Sequence, residues 1–135
     1  EDMERIIEND PNVRFVLKEF PVLGSDSVDA AQVSLAMSVL SPENYGQFHI
    51  DLLGMSGVKN GERAFSLAER MGVDREALEA EIEKPYIIET LTEVYQLAEA
   101  LGINGTPSYV VGESVVFGAV GYDQLKNEVA SQLEQ

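Results

Sequence analysis

The sequence predicts an α/β fold in which an inserted all-helical subdomain interrupts a small sheet. Three observations predict it. Residues 13–20 are a β-branched and aromatic run bounded by Pro21 and Gly24, which reads as a strand. Residues 25–102 carry helical spacing throughout. The period then switches back in two short apolar runs separated by Gly112-Glu113, a hairpin signal, before one last amphipathic helix. A lone strand and a lone hairpin hold poorly in water when apart. Joined in one sheet, they give a layered α/β architecture with the helices between them in sequence.

Taken in order, residues 1–9 place Met3, Ile6 and Ile7 on one side and charged residues elsewhere, so they read as the last turns of an amphipathic helix. Asn9-Asp10-Pro11-Asn12 ends it with turn residues. The alternation of 13–20 is poor, because Val16 joins Phe15 and Leu17, and this predicts an interior strand covered on both faces. Ser27 is read as the cap of a helix with Ala31, Leu35 and Val39 spaced by four. Ser41-Pro42 starts a second, with a capping residue ahead of proline at the first helical position, and Tyr45, Phe48, Leu52 and Leu53 follow. A third, 62–71, ends at Gly72, and Asp74 caps a short acidic helix holding Leu78 and Ile82. Pro85 opens a longer helix that Gly102 closes. Strands are expected at 107–111 and 114–117, and a helix over 122–133 with Leu125, Val129 and Leu133 on one face.

At 135 residues the chain is one domain, or one domain with an elaboration, and can bury a real core. Its 24 acidic against 9 basic residues give a formal charge of −15. That balance disfavours nucleic acid and anionic membrane surfaces, both of which require clustered Lys and Arg. No apolar run approaches the roughly 20 residues of a membrane span. There is no cysteine, so no disulfide, thiol chemistry or Cys-based metal site can form within these residues. The opening Glu1-Asp2-Met3-Glu4 has neither a basic region nor an apolar core of a signal peptide, and no initiating Met. The start is therefore expected to lie inside a longer protein.

Three motifs carry a resemblance to a known family. They are Lys18-Glu19-Phe20-Pro21-Val22-Leu23-Gly24, the pair Phe48-His49, and Leu101-Gly102-Ile103-Asn104-Gly105-Thr106-Pro107 followed by Tyr109-Val110-Val111-Gly112. With the element order, they resemble the DsbA-like thiol–disulfide oxidoreductases of the thioredoxin superfamily over nearly the whole chain. The resemblance implies a thioredoxin-like fold whose first strand and start of the first helix are missing here. It implies a discontinuous domain of residues 1–24 and 103–135, with 25–102 as the helical insertion. It also implies a cis bond at Thr106-Pro107, although only about 5–6% of X–Pro bonds are cis in general. In the family that turn leaves the backbone before the proline free to pair with an extended substrate, and sets the ring against the reactive sulfur. Gly105, Thr106 and Pro107 are thus the implied substrate-binding residues.

The family's Cys-X-X-Cys sits at the N-terminus of the helix whose tail is residues 1–9, where the dipole and free N–H groups stabilise a thiolate. The catalytic cysteines are accordingly expected a few residues upstream of Glu1. Lys18 has two readings. Charged groups beneath the family's site tune the thiol, while a plain structural lysine would snorkel to the sheet edge.

The implied function is thiol–disulfide exchange on protein or peptide substrates with cysteines, in the periplasm or cell envelope, without cofactor or metal. The redox partner is not legible. The chain by itself is expected to be inactive, and a sheet edge left open by the missing strand invites a dimer. Two rivals stand beside this reading. One is a redox-silent thioredoxin-like module that only binds peptides or partners. The other is a relative of kappa-type glutathione transferases and chromene-carboxylate isomerases, which asks for a glutathione-binding loop around the proline. His49, the single histidine, is read as structural, since it has no cysteine beside it and the nearby serines belong to helix starts. Glu76, Glu79, Glu81 and Glu83 lack the spacing of a calcium loop and read as a solvated helix face.

Overall fold

A computed structural model describes residues 1–134 of the chain. The elements are α1 (Asp2–Asn9), α2 (Ser25–Leu40), α3 (Pro42–Gly54), α4 (Gly61–Arg70), α5 (Arg75–Ile82), α6 (Pro85–Leu101), β1 (Ser108–Val111), β2 (Ser114–Phe117) and α7 (Tyr122–Leu133). They fall into two compact units, Glu19–Gln96 in one and Glu1–Lys18 with the chain from Leu97 onward in the other.

The Glu19–Gln96 unit is built around α2. Ala30, Ala31, Val33, Leu35, Ala36 and Met37 are buried on several of its sides, the pattern of a helix enclosed by others rather than one lying on a surface. One side joins Ala30, Val33, Ala36 and Met37 to Phe48 and Leu52 of α3, Ala64 and Leu67 of α4, and Leu78 of α5. Another sets Ala31 and Leu35 against Ile87 and Leu91 of α6. The alanines allow close approach of the neighbouring helices, and Phe48 and Met37 fill the space with no exposed surface. Across the exterior, Arg75 at the start of α5 forks onto Glu62 at 2.9 and 2.6 Å, reaches Glu69 and Glu79, and lies over the Phe65 ring at 4.6 Å.

Local signals set the helix ends. Asp74 accepts from the Ala77 N–H, and Asn60 accepts from the Arg63 N–H; both are N-caps that satisfy otherwise orphaned donors. At Gly102, φ is +71°, with Ile103 N–H donating to Ala98 at 2.8 Å and Gly102 N–H to Glu99 at 3.2 Å. This is the paired closure that a left-handed residue permits. Two expected caps are not formed. Ser27 lies inside α2, whose N-cap is Gly24, at φ +86°, three residues ahead of the expected one. Ser41 precedes α3, but its hydroxyl donates to Glu43 and accepts from Asn44 side chains instead of capping the backbone.

In the other unit α7 lies against α1 and β1, and Ile6, Ala98, Val116 and Leu125 are its buried residues. β1 and β2 pair antiparallel, with Tyr109 opposite Val116 and Val111 opposite Ser114. Gln132 of α7 clamps the turn, accepting from Glu113 N–H at 3.3 Å and donating to the Ser114 hydroxyl at 3.1 Å. Arg5 of α1 stacks 3.9 Å over the Tyr122 ring.

The expected strand at 13–20 is not formed. The sheet has two strands, β1 and β2, and no described segment hydrogen-bonds with 13–20 as a ladder. A strand is a relation between two backbones, so residues of strand character without a partner remain merely extended. The expectation of cover on both faces also fails: Val16 is 64% exposed while Phe15 and Leu17 are half-buried. That is the period-two burial of a one-sided strand.

Candidate functional site

Helix α6 closes at Gly102, and β1 begins at Ser108, so residues 103–107 bridge helix to strand. Asn104, Gly105, Thr106 and Pro107 are all exposed. The turn is anchored on either side of Thr106. The Ser108 hydroxyl donates to the Gly105 carbonyl at 2.8 Å, and Gly118 N–H donates to the Pro107 carbonyl at 2.9 Å. The backbone N–H and C=O of Thr106 itself make no hydrogen bond among the described residues. The Thr106-Pro107 peptide bond is cis. Exposed and unpaired main chain held at both ends is what an extended peptide needs to add itself by main-chain hydrogen bonds.

Lys18 does not occupy a buried strand. It is exposed, in a segment without ladder partners, and it enters none of the ion pairs or side-chain hydrogen bonds found among the described residues. Lys18 falls in one compact unit and its neighbour Glu19 in the other.

That neighbour organises a second cluster. Glu19 Oε1 accepts from the Ser34 hydroxyl at 2.5 Å and the Tyr45 hydroxyl at 2.8 Å. The His49 Nδ1 stands 3.9 Å away, with 19% and 16% of the two side chains exposed. Burial pushes the Glu19 carboxyl up, but His49, Ser34 and Tyr45 around it win and hold it below the ordinary carboxylate value. At that distance the imidazole acts electrostatically and not through a formed hydrogen bond. Burial and the Glu19 charge push the Tyr45 phenol up, so it remains a donor.

This grouping escapes sequence reading, which treats His49 as an isolated structural residue. The available signal is faint: Glu19 lies in the motif shared with the family, and Tyr45 and His49 stand four apart on α3.

The acidic residues singled out in the sequence do not converge. Glu79 pairs with Arg75, and Glu81 is held by Lys84 at 2.7 Å and the Tyr86 hydroxyl at 2.6 Å. No group of three or more His, Cys, Asp or Glu able to hold a metal is found among the described residues. None of the described helices is long and apolar enough to cross a membrane.

The family model of the DSBA-like thioredoxin domain matches residues 1–130. Among solved structures, a thioredoxin-like oxidoreductase from Silicibacter pomeroyi DSS-3 is 36% identical, with a TM-score of 0.92 over 99% of this chain and 76% of that one. The thiol-disulfide exchange protein alpha-DsbA2 from Wolbachia pipientis is 27% identical, TM-score 0.87, covering 96% and 70%. ScsC from Proteus mirabilis in a compact conformation is 27% identical, TM-score 0.85, covering 99% and 73%. A comparison with curated proteins finds no match. The fold is thioredoxin-like with a large helical content and a two-stranded sheet. From the helix closure at Gly102 through the cis Thr106-Pro107 turn into β1, and over almost all of its length, this chain belongs to the DSBA-like thioredoxin domain family of thiol–disulfide oxidoreductases.

Proposed function

We propose that this chain supplies the peptide-holding part of an oxidoreductase acting on cysteine-containing proteins or peptides, with the Cys-X-X-Cys carried upstream of Glu1. The observation that carries the reading is the exposed turn at Gly105, Thr106 and Pro107, whose Thr106 backbone has no partner among the described residues. A substrate strand laid along Thr106 would bring its disulfide to the turn. The upstream thiolate attacks one sulfur of that disulfide, forms a mixed disulfide and releases the other sulfur as a thiolate; the second cysteine then resolves it, leaving the substrate reduced and the enzyme oxidised. The reverse sequence oxidises a dithiol substrate. No cofactor is required.

On this reading residues 1–24 and 103–135 form the thioredoxin-like domain, and 25–102 form its helical insertion. Lys18, an exposed cation, acts as a thiol-tuning charge by favouring a nearby thiolate. Disulfide chemistry of this kind suits an oxidising compartment such as the periplasm or cell envelope. β1 has a ladder partner on one side alone among the described residues, and its open edge supports pairing with a second chain.

The test compares this chain with the same protein extended upstream, in catalysed reduction of a protein disulfide. The extended form turns over and this chain does not, while both bind a reduced peptide. The absence of cysteine from all 135 residues favours one other reading, a redox-silent peptide-binding module. Binding without turnover in a correctly folded extended form would establish that alternative and refute the oxidoreductase.

A further inference from the structure

The chain passes between its two compact units twice, at Lys18/Glu19 and at Gln96/Leu97. Within the Glu19–Gln96 unit, both ends are strapped. The Glu19 carboxylate is fastened to α2 through Ser34 and to α3 through Tyr45. The next residues are tied to α6 close to the second passage. The Tyr95 hydroxyl donates to the Pro21 carbonyl, and its ring meets Phe20 edge-on at 5.2 Å.

We propose that Glu19, Ser34, Tyr45 and His49 form an acid-released strap: the ionised carboxylate holds the chain at Glu19 to α2 and α3, and protonating it frees that point while the Tyr95 contacts keep Phe20 and Pro21 in place. The geometry argues for a device tuned to the anion. A carboxylate only accepts, and hydroxyls from two different helices converge on the same oxygen, Oε1. Charge-assisted bonds of this kind are roughly twice as strong as neutral ones, so the neutral acid keeps a much weaker hold.

Every group that faces Glu19 supports one direction of response. Ser34 on α2 does not titrate. From α3, Tyr45 stays a donor, and the His49 Nδ1 stands 3.9 Å from the carboxylate. From α6, Tyr95 touches Phe20 and Pro21 and not the carboxylate. No further ion pair or hydrogen bond reaches Glu19 among the described residues. Burial opposes ionisation, but His49, Ser34 and Tyr45 hold the folded carboxyl below its ordinary value near 4.5. A carboxyl depressed by folding contributes stability that is full above the unfolded value and is lost as pH falls through the folded one. The strap therefore opens below the ordinary carboxylate range.

The experiment is NMR on the chain as it stands, titrated between about pH 7 and about pH 3. The Glu19 side-chain carboxyl 13C shift reports its protonation. The amide order parameter of Glu19 falls from a rigid value of about 0.85 toward about 0.6 at the same midpoint, while the Phe20 and Val22 amides, still held through Tyr95, and the β1 and β2 amides stay rigid. Tyr45→Phe removes one donor and moves that midpoint upward. Glu19→Gln is flat with pH. If Glu19→Gln does not fold, Tyr45→Phe and Ser34→Ala carry the test. The proposal is overturned by a Glu19 order parameter that stays constant across the titration, by β1 and β2 losing order at the same midpoint, or by a Tyr45→Phe midpoint that does not move.

Discussion

The Tyr45 hydroxyl donates a 2.8 Å hydrogen bond to a Glu19 carboxylate that lies 26 residues earlier in the chain. This bond joins the segment leaving residues 13–20 to a helix beyond the first inserted one, and it is made in a mostly buried place. Removing its donor leaves a carboxylate that, largely buried, recovers little of the lost bond from bulk water.

Tyr45→Phe is accordingly expected to destabilise the fold by about 1.5–3 kcal/mol at neutral pH, the usual worth of a hydrogen bond to a charged group. Urea unfolding measures it. The loss shrinks as pH drops below the ordinary carboxylate range, because Glu19 is then neutral in both proteins. An equal loss at neutral and acid pH would show that ring packing, not the bond to the carboxylate, is what the hydroxyl supports.

How much of this was legible in the sequence depends on whether a feature is local. The five inserted helices are readable because each announces itself over neighbouring residues: apolar spacing, Pro42 and Pro85 at first positions, Asp74 as a cap, Gly102 as a stop. The hairpin turn at Gly112 is readable for the same reason. The pairing of 13–20 is not, since strand character in Val13, Phe15 and Leu17 says nothing about whether another backbone is present to bond with. Glu19, Ser34, Tyr45 and His49 come from three separate segments, and nothing in the residues around His49 reveals the carboxylate opposite it. The turn at Thr106-Pro107 lies between: its residues resemble a family motif, while its anchoring by Ser108 and Gly118 emerges from the fold.

Phe48 belongs to the cluster that α3, α4 and α5 form with one side of α2, and it has no exposed surface. Phe48→Ala should cost about 3–5 kcal/mol, the transfer loss plus the cavity that α2, α4 and α5 cannot close. Phe48→Leu should cost distinctly less. Thermal unfolding ranks the pair, and equal midpoints would mean that the site collapses freely.

At Gly102 and Gly112 the backbone takes φ of +71° and +57°. The space around them differs: nothing lies near a side chain added at Gly102, whereas one at Gly112 would strike the Gln132 side chain. Gly102→Ala should cost about 1 kcal/mol, the strain of a left-handed non-glycine residue. Gly112→Ala should cost more, and pairing it with Gln132→Ala should recover the excess. A double mutant no more stable than Gly112→Ala would locate the whole penalty in the backbone.

Ser108 offers the sharpest test of the peptide-holding turn. Its hydroxyl bonds the Gly105 carbonyl at 2.8 Å, which fixes the residue just before Thr106. Losing one such neutral bond is worth about 1 kcal/mol, or about fivefold in an equilibrium constant. In the upstream-extended protein, Ser108→Ala is expected to raise KM for a cysteine-containing peptide by about fivefold and to leave kcat nearly unchanged, because on the proposed function the turn holds substrate and takes no part in moving electrons or protons. Ser108→Thr keeps the hydroxyl and should restore most of the affinity. Steady-state kinetics on the three proteins settles the matter: a fall in kcat with KM unchanged would place Ser108 in the chemistry, and no change in either would show that Thr106 holds its conformation without the hydroxyl.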